Sequence, residues 1–575
     1  MKQNKGLKSP PLPIPELNNT MHNYLNRLKS LLSEEEYIKD EKIVKLFFSN
    51  SGLKLNEALK DYANSISGSW LHQFWLNSYL ENRAPLNGNV SYSTIINTAK
   101  MEKKNFPHFC AKLIYIMVNL YFKIANEEIP TEKGPLGPLC LSQFKNIFGS
   151  FRIPTVGADT LLINQKNLNN PYIILLYNGN NYVLQVAENG KIYNEDSLEI
   201  QVSNILQDDN KEGPNIGVFT TRQRDKAATL RENIYNLNKK NAKNLICIEK
   251  SLFTMCIDKP SKTLSKEDLV HSIVFGNGKN RWFDASSQVI VGTDFSLGFT
   301  NEHTGYDGSA WIILLKDICD FMETPSKHQL PNGKPNITKL EWDLDNKVQS
   351  ELIQSEKENN DRGNKLIFKL LHFDRFGARE IKDLKCSPDA FFHLGLQLAW
   401  YRLKGKLSNT YEPVSLRQFY QGRTECMRPA TTAVWDFVNY KGLDKSKKKE
   451  LAINAMSLHS SMLKQCRNGN GPERHLFGLK NMIKEDIPQS EDIFNTWGYK
   501  ILSKDILSTS NLSFNKMDVF AFGPVTEDGF GVGYNIGNED INVCLSCFSD
   551  FNKQNDIDLL SQSLNNAFLD IYNMI

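Results

Sequence analysis

Short runs rich in β-branched and aromatic residues alternate with longer stretches of helical period along a chain of 575 residues. That alternation, sustained for so long, leaves few architectures open. Tyr172-Ile-Ile-Leu-Leu-Tyr177, the turn Asn178-Gly-Asn-Asn181 and Tyr182-Val-Leu-Gln-Val186 predict two strands about a tight connection. Asn215 to Thr220 predicts a further strand before a long polar helix, and Asn280-Arg-Trp-Phe-Asp284 and Ser287-Gln-Val-Ile-Val291 continue the strand signal. The second half repeats the mixture, with helices from Ser387 through Tyr401 and from Lys447 to Gln465. Strands follow around Val519 to Phe522 and Phe530 to Tyr534, joined as a hairpin by Glu527-Asp528-Gly529, before a last helix bearing Leu560, Leu564, Phe568 and Ile571. The class is therefore α/β. Single cores stop growing at about 250–300 residues, so two large units are expected.

The amino-terminal quarter is more helical. Pro10-Pro-Leu-Pro-Ile-Pro15 is an extended lead-in, after which Thr20 is expected to cap a helix carrying Met21, Tyr24, Leu25, Leu28, Leu31 and Leu32. Ser33-Glu-Glu-Glu36 offers a capping box for the next helix. The helical pattern persists to Ala125, with Trp70, Trp75 and Leu76 supplying bulk. The charged, Asn-rich stretch from Glu341 to Arg362 is a crossover between units or a solvated helix.

Sixty-eight basic residues against 65 acidic ones leave a formal charge of +3, too balanced for a chain that coats nucleic acid or an anionic membrane. The longest apolar stretch, His108 to Phe122, carries Lys112 and Asn119 and falls short of the roughly 20 residues of a membrane span, so a soluble protein is expected. Ten scattered cysteines fit a reducing compartment. Cys544 and Cys547 have no second ligand pair at zinc spacing, and they read as strand core. Met1 to Lys8 lacks an apolar signal core, and Asn573-Met-Ile575 is not the usual peroxisomal tripeptide. The compartment stays open between the cytoplasm and an organelle lumen such as the mitochondrial matrix. Gly276-Asn-Gly-Lys279 lacks full phosphate-loop spacing and is expected to be a turn.

Asn301-Glu-His-Thr-Gly-Tyr-Asp-Gly308 carries the chemistry. His303 is titratable near neutral pH, and Asp307 four residues on can fix its tautomer and orientation, which suits a general base and its orienting acid. Alone, such a pair is more often a surface hydrogen bond or a satisfied core group. Further distinctive segments accompany it: Tyr420-Gln-Gly-Arg-Thr-Glu-Cys-Met-Arg428, Gly471-Pro-Glu-Arg-His-Leu-Phe-Gly-Leu-Lys480, Leu507-Ser-Thr-Ser510 and Phe522-Gly-Pro-Val-Thr-Glu-Asp-Gly-Phe-Gly-Val-Gly-Tyr-Asn535. In this order, and with Asn280-Arg-Trp-Phe-Asp284, they resemble the choline/carnitine acyltransferase family over nearly the whole chain. The Pro-rich lead-in and Gly217-Val-Phe-Thr-Thr-Arg222 resemble its amino-terminal half.

The resemblance implies two domains of the chloramphenicol acetyltransferase type, each a mixed sheet with flanking helices. Residues 89–345 would carry His303 and residues 346–575 the remaining site, with helical residues 1–88 packed on the second domain. It implies reversible acyl transfer between CoA, a cosubstrate rather than a resident cofactor, and a small quaternary-ammonium alcohol, with no metal, no covalent acyl-enzyme and no nucleic-acid partner. A monomer is expected. His303 would take the alcohol proton, Asp307 would hold the ring, and Ser510 would hydrogen-bond the oxyanion. Tyr411, Thr424 and Arg474 match positions that bind the carnitine carboxylate, Ser508 stands with them, and Phe522 would face the trimethylammonium group. Choline lacks that carboxylate, so carnitine is the expected alcohol. Phe520 stands where medium- and long-chain members carry glycine, which implies a short acyl group, acetyl. Lys382, Arg379 and Asp389 would contact CoA, although Ala378 replaces one of two expected lysines and Arg375 is a further candidate. Asn82 and Pro429 replace the tyrosine and serine usual at their places. Alternatives are choline O-acetyltransferase, a medium-chain carnitine acyltransferase, or a catalytically weak binder of acyl-CoA or carnitine.

Overall fold

The computed structural model describes residues 9–207, 212–260, 263–327, 329–552 and 554–575, and Met1 to Lys8 lie outside them. The chain enters extended and forms α1 (Leu17–Leu28), α2 (Glu34–Ser49), α3 (Ser51–Ser65) and α4 (Trp70–Leu80). Glu16, not Thr20, occupies the cap of α1. Thr20 is buried inside the helix, where its hydroxyl meets His475 Nδ1 at 2.7 Å, so a tertiary hydrogen bond uses the group that local spacing assigned to capping. The capping box of α2 forms: the Ser33 N–H donates to Glu36 Oε2 at 2.9 Å and the Glu36 N–H to Ser33 Oγ at 3.4 Å. Tyr24, Leu28, Phe47, Leu59 and Trp70 form one apolar cluster with Leu416, Leu476 and Leu479 from the second half of the chain.

Fourteen strands build the two large sheets found among the described residues. The first seven in chain order are β1 (Tyr92–Ile96), β2 (Tyr172–Tyr177), β3 (Asn180–Gln185), β4 (Thr254–Asp258), β5 (Ser287–Gly292), β6 (Leu297–Asn301) and β7 (Ile337–Lys339). The rest are β8 (Leu366–Phe373), β9 (Thr410–Ser415), β10 (Thr424–Met427), β11 (Leu507–Asn511), β12 (Met517–Phe522), β13 (Phe530–Ile536) and β14 (Ile541–Phe548). The eight-stranded sheet runs β7-β3-β2-β4-β5-β6-β1-β12, parallel only where β4 meets β2 and β5. The six-stranded sheet runs β8-β14-β13-β11-β9-β10, with β11 parallel to β9 and β13. The molecule is thus mixed α/β with two mixed sheets.

One face of the larger sheet packs Val289 and Phe299 against α5 (Phe106–Ala125) and the helix Gly308–Glu323, through Phe109, Met117, Trp311 and Leu315. The sequence placed the apolar stretch below spanning length, but α5 has 20 residues, enough by length and composition to cross a membrane. Here it is a core helix, with even Lys112 buried, its ammonium held by Glu102 at 2.7 Å. Burying a large apolar side chain contributes about 1.5–3 kcal/mol, which is why so apolar a helix is drawn inward.

Three expected strands or pairings take other forms. Residues Ile216–Thr221 make a 3-10 helix, and residues 280–284 turn rather than extend, with Trp282 and Asp284 buried. Gly276 and Gly278 have positive φ in the expected turn. β12 and β13 do not form a hairpin. β12 leaves the second half to pair antiparallel with β1, Phe522 opposite Tyr92 and Phe520 opposite Thr94, whereas β13 lies between β11 and β14. The crossing depends on glycine: a Cβ on Gly523 would stand 1.9 Å from Gly88 O, and one on Gly533 2.2 Å from Phe520 O. The Gly-rich segment therefore lets the two sheets meet backbone to backbone, along the edge where His303 lies. Cys544 and Cys547 are buried in β14.

Candidate active site

His303 occupies the loop between β6 and the helix Gly308–Glu323, with its side chain 28% exposed. The loop is set from both sides in sequence. Glu302 accepts from the Thr304 N–H at 3.1 Å and hydroxyl at 2.6 Å, which folds the chain so that His303 stands at the apex. Arg152, fully buried, reaches Glu302 at 3.5 Å and Asp159 at 2.7 Å. The imidazole lies against two rings, stacked on Tyr79 at 5.5 Å and 28° and edge-on to Tyr92 at 5.1 Å. Burial holds the pKa of His303 below its usual value; Asp307 opposes that and Arg423 adds to it. The imidazole is therefore neutral, and able to accept a proton, at neutral pH.

Asp307 is the N-cap residue of the helix that follows. Its Oδ1 is 3.7 Å from His303 Nδ1, an ion-pair approach too long for a hydrogen bond. Such contacts commonly tighten only when substrate binds. Burial would raise the carboxyl, but Arg423 outweighs it, and the group titrates below the ordinary carboxylate range. Gln143 adds a contact of 2.9 Å to Oδ2.

Arg423 is the residue the sequence reading passed over, although it stands inside a quoted segment, next to Thr424. From the turn before β10 it reaches both Asp307 oxygens at 3.0–3.1 Å, Thr304 O at 2.7 Å and His303 O at 3.0 Å. One guanidinium thus fastens the His303 loop of the larger sheet to the smaller sheet.

The next residue opens a second pocket of polarity. Arg474, 7% exposed, donates Nε to Thr424 O at 2.8 Å and Nη2 to the Tyr411 hydroxyl at 3.0 Å, and it lies over the Trp75 ring at 3.9 Å. Among the described residues no carboxylate comes within ion-pair distance of that guanidinium. Burial, with Arg474 opposing, pushes the Tyr411 hydroxyl up to about 12, so it remains a donor. Tyr411, Thr424 and Arg474 are therefore brought together, one peptide unit from the Arg423 clamp on the His303 loop. Ser508 pairs with Tyr411 and Ser510 with Gly533 in the ladder of β11, and their two-residue spacing puts both on one face. Phe522 is partly exposed at the end of β12, and Phe520 is buried against Tyr92 with ring centroids 6.1 Å apart, one ring away from His303.

The residues matched to CoA contacts sit elsewhere, on the smaller sheet's helices. Lys382 is exposed in the helix Ala378–Asp383. Arg379 is tied to Glu539 at 2.6 Å and Glu380 at 3.3 Å, and Ala378 is buried with its N–H bound to Gly537 O at 2.8 Å. Asp389 accepts from the Tyr534 hydroxyl at 2.6 Å and Asn511 at 3.3 Å. Beside it His393 and His459 converge on Glu412 Oε2 at 3.1 and 2.9 Å, close enough that these three side chains could hold a divalent ion. A metal-bound imidazole ordinarily gives its other nitrogen an acceptor, and here both Nδ1 atoms lack a protein partner. Burial pushes Glu412 up to about 8, which fits a shared proton.

A family model described as Choline/Carnitine o-acyltransferase matches residues 12–566. Carnitine O-acetyltransferase of Rattus norvegicus is 31% identical over 568 residues, covering 94% of this chain and 89% of the relative. Choline O-acetyltransferase of Sus scrofa is 30% identical over 572 residues, with 94% and 88% covered. Among solved structures, the wax ester synthase/diacylglycerol acyltransferase of Marinobacter aquaeolei VT8 aligns at 9% identity and a TM-score of 0.35 over 87% of this chain and 98% of its own, too remote for any inference. The family match spans both sheets and the His303 loop between them, and the chain belongs to the choline/carnitine O-acyltransferase family, enzymes that move an acyl group between CoA and the hydroxyl of one of these alcohols.

Proposed function

We propose that the protein transfers a short acyl group, acetyl, reversibly between CoA and the hydroxyl of carnitine. The observation that carries the choice of alcohol is Arg474: a buried guanidinium held by Tyr411 and Thr424, which feels Glu425 and Glu473 but has no carboxylate within ion-pair distance among the described residues, and which contacts the residue next to Arg423. Carnitine brings a carboxylate that such a cation suits, and choline brings none. In this reading His303 takes the hydroxyl proton as the oxygen attacks the thioester carbonyl. Arg423 keeps Asp307 ionised, and Asp307 turns to steady the imidazolium that forms. Ser510 donates to the oxyanion, and the proton on His303 passes to the departing CoA thiolate, so that no acyl-enzyme forms. Phe522 faces the quaternary ammonium, a contact worth about 0.5–2 kcal/mol. Phe520 limits the acyl chain. The CoA contacts rest on Lys382 and Asp389, with Arg379 already committed to Glu539.

A panel of acetyl-, octanoyl- and palmitoyl-CoA against carnitine and choline, read as kcat/KM, tests the proposal. Acetyl-CoA with carnitine should lead, and His303→Ala should abolish thiol release while the folded protein persists. Preference for choline would remove the role given to Arg474, and preference for octanoyl-CoA the role given to Phe520. Binding of CoA without turnover on either alcohol would favour the weak binder.

A further inference from the structure

Helix α4 lies in the amino-terminal segment, outside both sheets, yet its side chains touch both halves of the candidate site. Trp75 and Tyr79 are four residues apart and so share one face of the helix. Tyr79 stacks on the imidazole of His303, with centroids 5.5 Å apart and planes at 28°. Trp75 lies under the guanidinium of Arg474 at 3.9 Å, and the two rings meet edge to face at 5.7 Å. Both are half-buried and also pack against neighbouring apolar side chains, Trp75 edge-on to Phe477 at 5.8 Å. We infer that α4 is a positioning element of the reaction: Tyr79 orients His303 and stabilises its protonated form, and Trp75 does the same for the cation that receives the substrate carboxylate.

The chemistry follows from the ring quadrupole. The face of an aromatic ring is negative, so a ring stacked on an imidazole favours imidazolium over the neutral form. His303 is neutral while it waits and becomes cationic as the alcohol oxygen attacks, so the Tyr79 contact strengthens along the reaction coordinate and acts on kcat. Its absence would leave burial and Arg423, which both disfavour the cation, opposed by Asp307 at 3.7 Å and, more weakly, by the residue's own backbone and Glu302. Arg474 is cationic throughout, so the Trp75 contact is the same before and during reaction and acts on binding, that is on KM. One helix face thus gives two separable signatures.

The inference rests on the proposed transfer to carnitine, and the test separates the two. Tyr79→Leu keeps apolar bulk and removes the ring. With acetyl-CoA and carnitine, kcat should fall about tenfold, equivalent to about 1.4 kcal/mol, with the KM for carnitine little changed. Tyr79→Phe should recover most of the loss, because the ring and not the hydroxyl makes the contact. Trp75→Leu should instead raise the KM for carnitine several-fold, with kcat close to that of the parent. Independently of turnover, the 13C-histidine NMR titration of the intact protein, with His303 assigned by His303→Ala, should show its pKa lower by about one unit in Tyr79→Leu, the equivalent of about 1.4 kcal/mol. An unchanged His303 titration with unchanged kcat, or Tyr79→Phe as impaired as Tyr79→Leu, overturns the inference. Absence of turnover in the parent protein on both alcohols would overturn the proposed function, while the NMR titration would still read the stacking.

Discussion

Arg423→Met separates the two tasks that one guanidinium performs. The substitution keeps an unbranched apolar stem and deletes three contacts of 3.0–3.1 Å to Asp307 together with those to His303 O and Thr304 O. Asp307 would then be a buried carboxylate helped only by Gln143 and a distant imidazole, and removing one member of a buried pair costs about 3–5 kcal/mol. Folded domains have about 5–15 kcal/mol in hand, so the variant should fold but unfold at lower denaturant. The pH response should change sign at this group. In the parent, Asp307 titrates below its unfolded value, so its contribution is present above about pH 3.9 and fades as pH falls through the folded value. Without Arg423, burial is opposed only by His303 and Gln143 and should lift the folded pKa above the unfolded one; the stability then favours low pH and is lost as pH rises through the raised value. Urea titrations at pH 5 and pH 8 read this difference. Adding Asp307→Asn removes the stranded charge and should return about 1–3 kcal/mol. Turnover should not return, since the His303 loop has lost its tie to the smaller sheet, and a misplaced base costs about 10²-fold. Failure of Asp307→Asn to relieve the instability, or kcat within threefold of the parent in Arg423→Met, refutes the clamp.

Arg474→Gln should raise the KM for carnitine by about 10- to 150-fold, the worth of about 1.5–3 kcal/mol for hydrogen bonds to a charged group, with less effect on choline; equal losses on both alcohols would contradict the assignment. Ser510→Ala should lower kcat about 10²–10³-fold with KM nearly unchanged, as loss of an oxyanion donor does. Phe520→Gly should raise the octanoyl-to-acetyl ratio of kcat/KM while lowering the melting temperature, because the ring is also core. The acid limb of kcat/KM should have its midpoint below about 6.5, since burial depresses the pKa of His303.

The sequence by itself determined the class of most elements and singled out the His303 segment with the residue types that surround it. Periodicity and turn chemistry are local, so β2, β3 and the helices Pro388–Lys404 and Lys445–Arg467 were legible. So was the capping box of α2, which needs only four residues. The matched segments grouped Tyr411, Thr424 and Arg474 before any distance was known, and the structure brings them into contact. What failed locally failed for a tertiary reason. Trp282 meets the Phe219 ring and Thr20 meets His475, both far along the chain, and the strand pattern at 519–534 was right while its pairing was not. Strand pairing depends on which backbone edge is free in three dimensions, and β12 finds β1 some 400 residues upstream. Only the fold decided that Arg423 grips the His303 loop, because an arginine beside a threonine carries no mark of a carboxylate 116 residues away. Only the fold decided, too, that a helix from the first 80 residues lays one ring on His303 and another on Arg474: side-chain period tells which residues share a face, and tertiary contact alone tells what that face meets.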